Sequence, residues 1–412
     1  MLRPFSPPDA EDAIAKRSLL ALAVGGFGLG MTEFVIMGLL PDIAHTFGVS
    51  IPQAGYLVSA YALGVVVGAP LLTVAARRFP PRRALVGLML LFTGGSLLSA
   101  GAGSYGVLMG ARVLSGFSHG SFFGVGAVVA KQLAEEGNEG RAISMMFMGL
   151  TLANVVGVPL GTGLGYALGW RAAFAAVSLV GACAVASLWR WVPALPTPPH
   201  KSVQNQLAVF KRAELWLVIG VAAIGFGGFF AAFSYIAPLM TEVAGFGEGS
   251  VSLILVLAGV GMTLGNLLGG RLADRAPVRW MGLALVGLAG ALALLPLLAP
   301  HPAMAVVGVF VFALAAFTLT MPVQILVIRT AREAEMLGSA ANQSAFNTGN
   351  AIGAYVGGLP IAAGLGYGAS AWAGIALVVV GMGFAAAFAW RRRQRRRKQP
   401  ERVRQQPERV AA

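Results

Sequence analysis

Twelve stretches long and apolar enough to cross a bilayer follow one another along this chain. That succession constrains the fold more than any single residue does. A hydrocarbon core of about 30 Å needs roughly 20 apolar residues per helix. Windows of that kind fall at 18–41, 53–76, 82–101, 105–131, 141–165, 171–192, 214–241, 250–272, 280–299, 303–328, 336–364 and 370–390, the eleventh being polar at its start. Lipid offers backbone groups no hydrogen-bonding partner, so such segments must satisfy themselves as helices. The expected class is therefore all-α, a polytopic membrane protein with twelve transmembrane helices. Composition agrees. Charged residues make up 11% of the 412, against about 25% in an ordinary soluble domain. The 56 glycines show no three-residue period, which excludes a collagen-like chain and suits close helix packing.

Charge placement tests the number of spans. With twelve, both termini and the even-numbered loops share one face. That face receives Lys16 and Arg17, then Arg77, Arg78, Arg82 and Arg83, then Lys131 and Arg141, then Arg190, Lys201, Lys211 and Arg212. Arg271, Arg275 and Arg279 follow, then Arg329 and Arg332, then a basic tail from Arg391 to Lys398 with Arg402, Arg404 and Arg409. The opposite face receives Arg171 alone. The positive-inside rule then puts both termini in the cytoplasm of a multi-pass protein, expected in a bacterial inner membrane. The formal charge of +14 thus points to anionic lipid at the cytoplasmic surface, and no nucleic-acid partner is expected. The polar Met1–Arg17 segment precedes an apolar run too long for a signal peptide and without a cleavage pattern, so that run is expected to remain as the first span. Cys183 is the sole cysteine, which leaves no intrachain disulfide and no thiolate metal cluster.

The longest polar connection, Val192 to Arg212, carries Pro193, Pro196, Pro198 and Pro199 and divides the chain into six spans on each side. The expected parts are a cytoplasmic segment 1–17, a six-helix bundle 18–192, a linker 193–212, a second bundle 213–390 and the basic tail 391–412. An internal repeat supports this division. A shift of 197 positions places Pro41 on Pro238, Gly48 on Gly245, Gly64 on Gly261, Gly68 on Gly265, Arg78 on Arg275, Pro80 on Pro277 and Arg82 on Arg279. Two halves so related describe a pseudo-symmetric six-plus-six bundle with its site at the interface, near the midplane.

Several segments carry a family resemblance. Gly28–Pro41, Tyr61–Pro70, Arg112 with Ser115–Ala127, Gly149–Gly161 and the pair Trp170-Arg171 lie in order along the first half. Together they resemble the major facilitator superfamily, and within it the proton-antiporter drug and sugar efflux group, closest to arabinose-efflux-type (AraJ-type) permeases. The Gly149–Gly161 segment resembles that group's fifth-helix antiporter motif. The resemblance implies two six-helix bundles, alternating access, and efflux of a sugar or drug. One departure stands out. The superfamily's cytoplasmic loop motif, Gly-x-x-x-Asp-Arg-x-Gly-Arg, survives in the second half as Gly270 to Arg279 with Asp274, Arg275 and Pro277. In the first half the same register holds Thr73 and Arg77, with no acidic residue between Asp42 and Glu135. A latch using that acid cannot form from the first half, so a cytoplasmic gate would lean on Arg78, Asp274 and Arg275.

Glu33 is the most deeply placed acid of the chain, roughly 22 Å in from Ser18 at about 1.5 Å per residue. A charged carboxylate at such a depth costs roughly 2.5–3.5 kcal/mol on insertion scales. It is either a satisfied helix contact or a proton carrier, neutral in one conformation and ionised in another. Arg112 is the one basic group well inside a span and needs a partner. Either it braces packed helices through carbonyls or it tunes Glu33 directly. His119 follows two helical turns later on the same face, as a proton relay or a helix-to-helix hydrogen bond. Glu33, Arg112 and His119 are the candidate proton-coupling residues.

Gln343, Asn347 and Asn350, spaced by four and three, form one polar stripe. Buried amides are costly unless satisfied, so the stripe should face inward. With Gln324, Asn154, Tyr61 and Tyr235 it forms the candidate substrate site, suited to a polar neutral solute; helix-to-helix bonding is the other reading. Phe34, Phe122, Phe123, Phe229, Phe230 and Phe233 either stack on substrate or pack. Gly149, Gly157, Gly161 and Gly165, with Pro159, give one face of the fifth window small-residue packing, and Gly157 and Pro159 are candidate gating positions. No phosphate-cradling loop or metal-ligand cluster is present, so neither an enzyme, a metal nor a cofactor is expected. The expected function is secondary transport, proton-driven efflux of a small solute by a monomer. A symporter or uniporter of the same fold is the first alternative, and a receptor or enzyme that no longer transports is a distant second.

Overall fold

A computed structural model describes residues 8–135, 139–196, 208–331 and 335–404, and its regular structure there is entirely helical. Eleven helices are long and apolar enough to span a bilayer among the described residues. They are α1 (Ala13–Gly38), α2 (Ile51–Ala76), α3 (Pro81–Ala100), α4 (Tyr105–Leu133), α5 (Ala142–Leu168), α6 (Trp170–Trp191), α7 (Ala213–Phe233), α8 (Glu248–Arg275), α9 (Pro277–Leu298), α10 (Pro302–Thr330) and, last in the chain, α12 (Ala369–Arg395). The eleventh window forms α11 (Glu335–Ala362), equally long but diluted by Ser, Asn and Gln in its first half. The twelve helices of the expected fold are therefore present, one of them too polar to qualify on apolarity. Most of the Pro-rich linker, 197–207, lies outside the described residues, as do 332–334 with Arg332. Helix continues through Arg391 to Arg404, so the basic tail begins as an extension of the last span.

Several boundaries have local causes. The first window runs to residue 41, yet α1 stops at Gly38 and a short helix, Leu40–Phe47, begins. Pro41 explains this: it has no N–H for the Met37 carbonyl and is tolerated only in a helix's first turn. Pro238 in the second half likewise follows a break, at Ser234–Tyr235. The segments after both breaks end on left-handed glycines, Gly48 at φ 63° and Gly245 at φ 74°, a conformation that costs a side chain-bearing residue about 1 kcal/mol. A Ser50–Gln53 capping box opens α2.

The repeat recurs in packing. A Cβ added at Gly64 would lie 2.3 Å from the Val113 carbonyl oxygen, and one at Gly68 the same distance from that of Phe117. Their equivalents Gly261 and Gly265 lean on the carbonyls of Phe310 and Leu314. Those partners too are related by the 197-residue shift. The contacts of α2 with α4 and of α8 with α10 are thus one construction used twice. The halves meet where α2 packs on α11 and α5 on α8.

Candidate functional site

Glu33 owes its orientation to α5. Gly149, Gly157, Gly161 and Gly165 all face α1, where added Cβ atoms would meet Ala23, Phe27, Met31 with Val35, and Leu39. These positions, the last of them just beyond the end of α1, lie four apart, so α5 takes one whole face of α1. Glu33, two residues from Met31 and from Val35, projects roughly opposite that face. There it is 8% exposed and meets the second half of the chain. The Asn350 side chain of α11 donates Nδ2–H to Glu33 Oε1 at 3.3 Å. Beside it Phe34 stacks on Phe230, with centroids 6.1 Å apart, and meets Phe233 edge-on.

Arg112 is fully buried in α4. Its Nη1 donates to the Thr32 carbonyl at 3.0 Å and to Thr32 Oγ1 at 3.1 Å, and its Nε to the Leu57 carbonyl at 3.4 Å. The guanidinium carbon lies 4.4 Å from the centroid of the Tyr61 ring, a cation–π distance. No ion pair with Glu33 is formed among the described residues. In this conformation carbonyls of α1 and α2 hold the cation. His119 sits just after an interruption of α4 at Ser118, and its Nδ1 lies 2.8 Å from the Tyr61 hydroxyl. Tyr61 therefore joins the two, Arg112 on its face and His119 at its hydroxyl. It is wholly buried.

The amide stripe of α11 does face inward. Asn342, Asn347 and Asn350 are buried, while Gln343 is half-buried. Asn342 bonds Gln324 of α10 through Nδ2, Asn347 donates to the Gln343 carbonyl at 3.0 Å, and Asn350 reaches Glu33. The Oδ1 atoms of all three asparagines have no hydrogen-bond partner among the described residues. Asn154 lies in a π-helical turn, Ala153–Gly157, just before Pro159. Its backbone carbonyl meets α8 so closely that a Cβ at Gly259 would lie 2.2 Å away. Tyr235 is elsewhere, at the bundle end opposite the termini, donating to the Ala354 carbonyl at 2.7 Å and wedged between Gly55 and Gly358. Arg78, Asp274 and Arg275 are exposed, and no ion pair joins them to one another among the described residues.

Several site residues carried no readable signal. Thr32 holds Arg112 through its hydroxyl and carbonyl, and a carbonyl acceptor leaves no mark in a sequence. Asn266 of α8 pairs with Thr320 of α10 as a lone amide without periodicity. The aromatic cluster was visible as residues, but not its closure around Phe226, which touches Phe229, Phe230, Phe317 and Phe346. Among the described residues, hydrogen bonds and ring contacts between the halves run from Glu33 towards the end opposite the termini. They comprise Glu33–Asn350, Phe34 with Phe230 and Phe233, Ser59 to the Ala351 carbonyl at 2.9 Å, and Tyr56 on Tyr355. Chemically, a carboxyl group in a hydrogen bond between two bundles can exchange a proton and thereby alter the contact that joins them.

Known proteins share this construction. The chain is 43% identical over 349 residues to the Escherichia coli inner membrane transport protein YdhP, covering 85% of this chain and 90% of that protein. It is 38% identical over 353 residues to the putative transporter AraJ of the same organism, covering 85% and 90%. A chloramphenicol resistance protein of Streptomyces lividans is 34% identical over 348 residues, covering 82% and 87%. The crystal structure of a D-xylose-proton symporter shares the fold with a TM-score of 0.73 at 18% identity, covering 90% of this chain and 97% of that one. The Major Facilitator Superfamily model matches residues 22–354 and 245–411. Fold, internal repeat and sequence lead to one conclusion: this chain is a membrane transporter belonging to the Major Facilitator Superfamily.

Proposed function

We propose that this transporter exports a small organic solute in exchange for entering protons, with Glu33 as the proton-carrying group. The observation that carries the reading is the hydrogen bond between Glu33 and Asn350, an acid at membrane depth bridging the two halves. The hydrogen bonds and ring contacts between the halves at the end opposite the termini support a reading in which that end is the closed one. With both termini cytoplasmic, as the arginine distribution supports, that side is the outside. Glu33 would then release its proton inward, and solute would bind from the cytoplasm. Reorientation would carry solute out and bring Glu33 into contact with outside water, where it takes up the next proton. Arg112, held by carbonyls beneath Tyr61, and His119 beyond the Tyr61 hydroxyl would set the charge around this step. Asn347, Gln343, Gln324 and Asn154 would offer amides to solute, while Tyr235 would act in the outer seal. Gly157 and Pro159 would let α5 bend, and Arg78, Asp274 and Arg275 would form inner-gate contacts in the opposite state.

Efflux is supported by one relative, named for chloramphenicol resistance, and the membrane by another, named as an inner membrane transport protein of Escherichia coli. A bacterial inner membrane is accordingly the proposed location, a single copy the proposed working unit, and the bundles 18–192 and 213–390 the proposed moving parts. The test uses purified protein in proteoliposomes under an imposed pH gradient, with arabinose and chloramphenicol among the solutes screened. Wild type should move solute against its gradient towards the acidic side. Glu33→Gln should lose at least tenfold of that driven flux while still binding solute. Undiminished gradient-driven flux in Glu33→Gln removes the proton role, and solute movement together with protons reverses the proposed direction.

A further inference from the structure

A second site lies at the terminal end of the second bundle, away from the Glu33 region. A cavity there opens between the first turns of α7 and the last turns of α10 and α12. Arg212 reaches it from just before α7, Glu214 from the first turn of α7, Arg329 from α10, and Arg392 and Arg395 from α12. The last two lie three positions apart and so share one helix face. Leu326 and Phe388, both buried, form its apolar wall. Four guanidinium groups and one carboxylate thus line the cavity among the described residues. That carboxylate is already engaged, since Arg395 Nε lies 2.8 Å from Glu214 Oε1. Arg212 is fixed by an Nη1–H donated to the Thr330 carbonyl at 3.0 Å.

We propose that this cavity binds a phosphate group, that of an anionic phospholipid headgroup from the membrane leaflet on the terminal side. Guanidinium forks match phosphate oxygens two at a time, and a charged rim above an apolar wall matches a headgroup above its glycerol and acyl chains. Trp216 strengthens the lipid source over a soluble phosphate. It lies one turn beyond Arg212, is 53% exposed, and donates its indole N–H to the Phe210 carbonyl at 2.7 Å. Exposed tryptophan so tethered marks the headgroup level of a membrane. A lipid seated there would tie α7, α10 and α12 together at the end where the second bundle begins.

The full-length protein purified in detergent tests this with phosphatidylglycerol, phosphatidylcholine of equal chain length, and inorganic phosphate as separate probes. Retained lipid is read by native mass spectrometry and stability by the unfolding midpoint. Phosphatidylglycerol should be retained and raise the midpoint, and phosphatidylcholine should do neither. Arg212→Gln with Arg392→Gln should weaken phosphatidylglycerol binding at least tenfold. Arg329→Gln, at an exposed position, should weaken it severalfold without loss of folding. Glu214→Gln should strengthen it, by removing the competing carboxylate. Equal retention of the two lipids, or unchanged phosphatidylglycerol binding in folded Arg329→Gln and the double variant, overturns the site. Inorganic phosphate binding as tightly as phosphatidylglycerol overturns the lipid source.

Discussion

At the scale of single residues, burial and company decide what a polar group does. Arg112 and Glu33 lie in neighbouring helices, yet the arginine turns Nε and Nη1 to backbone oxygens and the Thr32 hydroxyl and its face to Tyr61, leaving Nη2 without a hydrogen-bond partner among the described residues, while the acid takes an amide. Buried charges are tolerated only when hydrogen-bonded, and nothing in that rule requires the two to pair with each other. Asp42, outside the spans in the helix Leu40–Phe47, shows the opposite situation. Burial, and next the Glu248 carboxylate, push its carboxyl above the ordinary range, with His45 opposing. One of its oxygens has no hydrogen-bond partner among the described residues. A carboxyl raised by folding contributes stability that is full below its unfolded value of about 3.9 and lost as pH rises through the folded one. The unfolding midpoint of wild type should therefore fall as pH is raised from about 4 towards neutral. Asp42→Asn should flatten that slope and be the more stable protein at pH 7. Parallel slopes for the two proteins would show that Asp42 does not carry the effect.

At the scale of elements, the α1–α5 contact is the tightest in the first bundle. A Cβ at Gly149 would lie 1.9 Å from the Ala23 carbonyl oxygen, a distance no packed atoms adopt. Gly149→Ala should force the helices apart and cost about 1–3 kcal/mol, the range for overpacked interiors. Gly94→Ala on α3, where an added Cβ meets nothing within 4 Å, should leave the unfolding midpoint unchanged. Equal midpoints for these two variants would deny that α5 seats α1 in this way. The elements also show how much was legible. Span number, the mid-chain division and the seven-position repeat register follow from local apolar length and from Gly, Pro and Arg spacing. The four-residue glycine spacing of α5 was equally readable as a packing face. Which helix it faced was not, because spacing describes one surface and never its partner. The breaks after Gly38 and at Ser234–Tyr235 were missed for a different reason: apolarity continues through them, and only Pro41 and Pro238 hint that the hydrogen-bond ladder stops.

For the whole molecule, charge accounting gives the sharpest test. With Glu33 the one acid at depth, each cycle should return one proton. Export of a neutral solute would then move one net charge inward, driven by about 2.3 kcal/mol per 100 mV of membrane potential and about 1.4 kcal/mol per pH unit. In proteoliposomes with equal pH on both sides, a valinomycin-imposed potential, negative on the side facing the termini, should drive uphill export by itself. Flux indifferent to that potential would exclude one-proton exchange with a neutral solute.

What the amino-acid sequence determined by itself was everything short-range or additive. The membrane as solvent, twelve helices, the duplicated half, and Glu33 as an anomalous acid each depend on composition within a span or on a fixed offset. Tertiary structure decided the partnerships: Asn350 reaching Glu33 across 317 positions, Tyr61 standing between Arg112 and His119, and arginines from the ends of three helices gathering around one cavity. Those depend on how helices rotate and cross, which packing settles across the whole bundle and no local stretch of residues encodes.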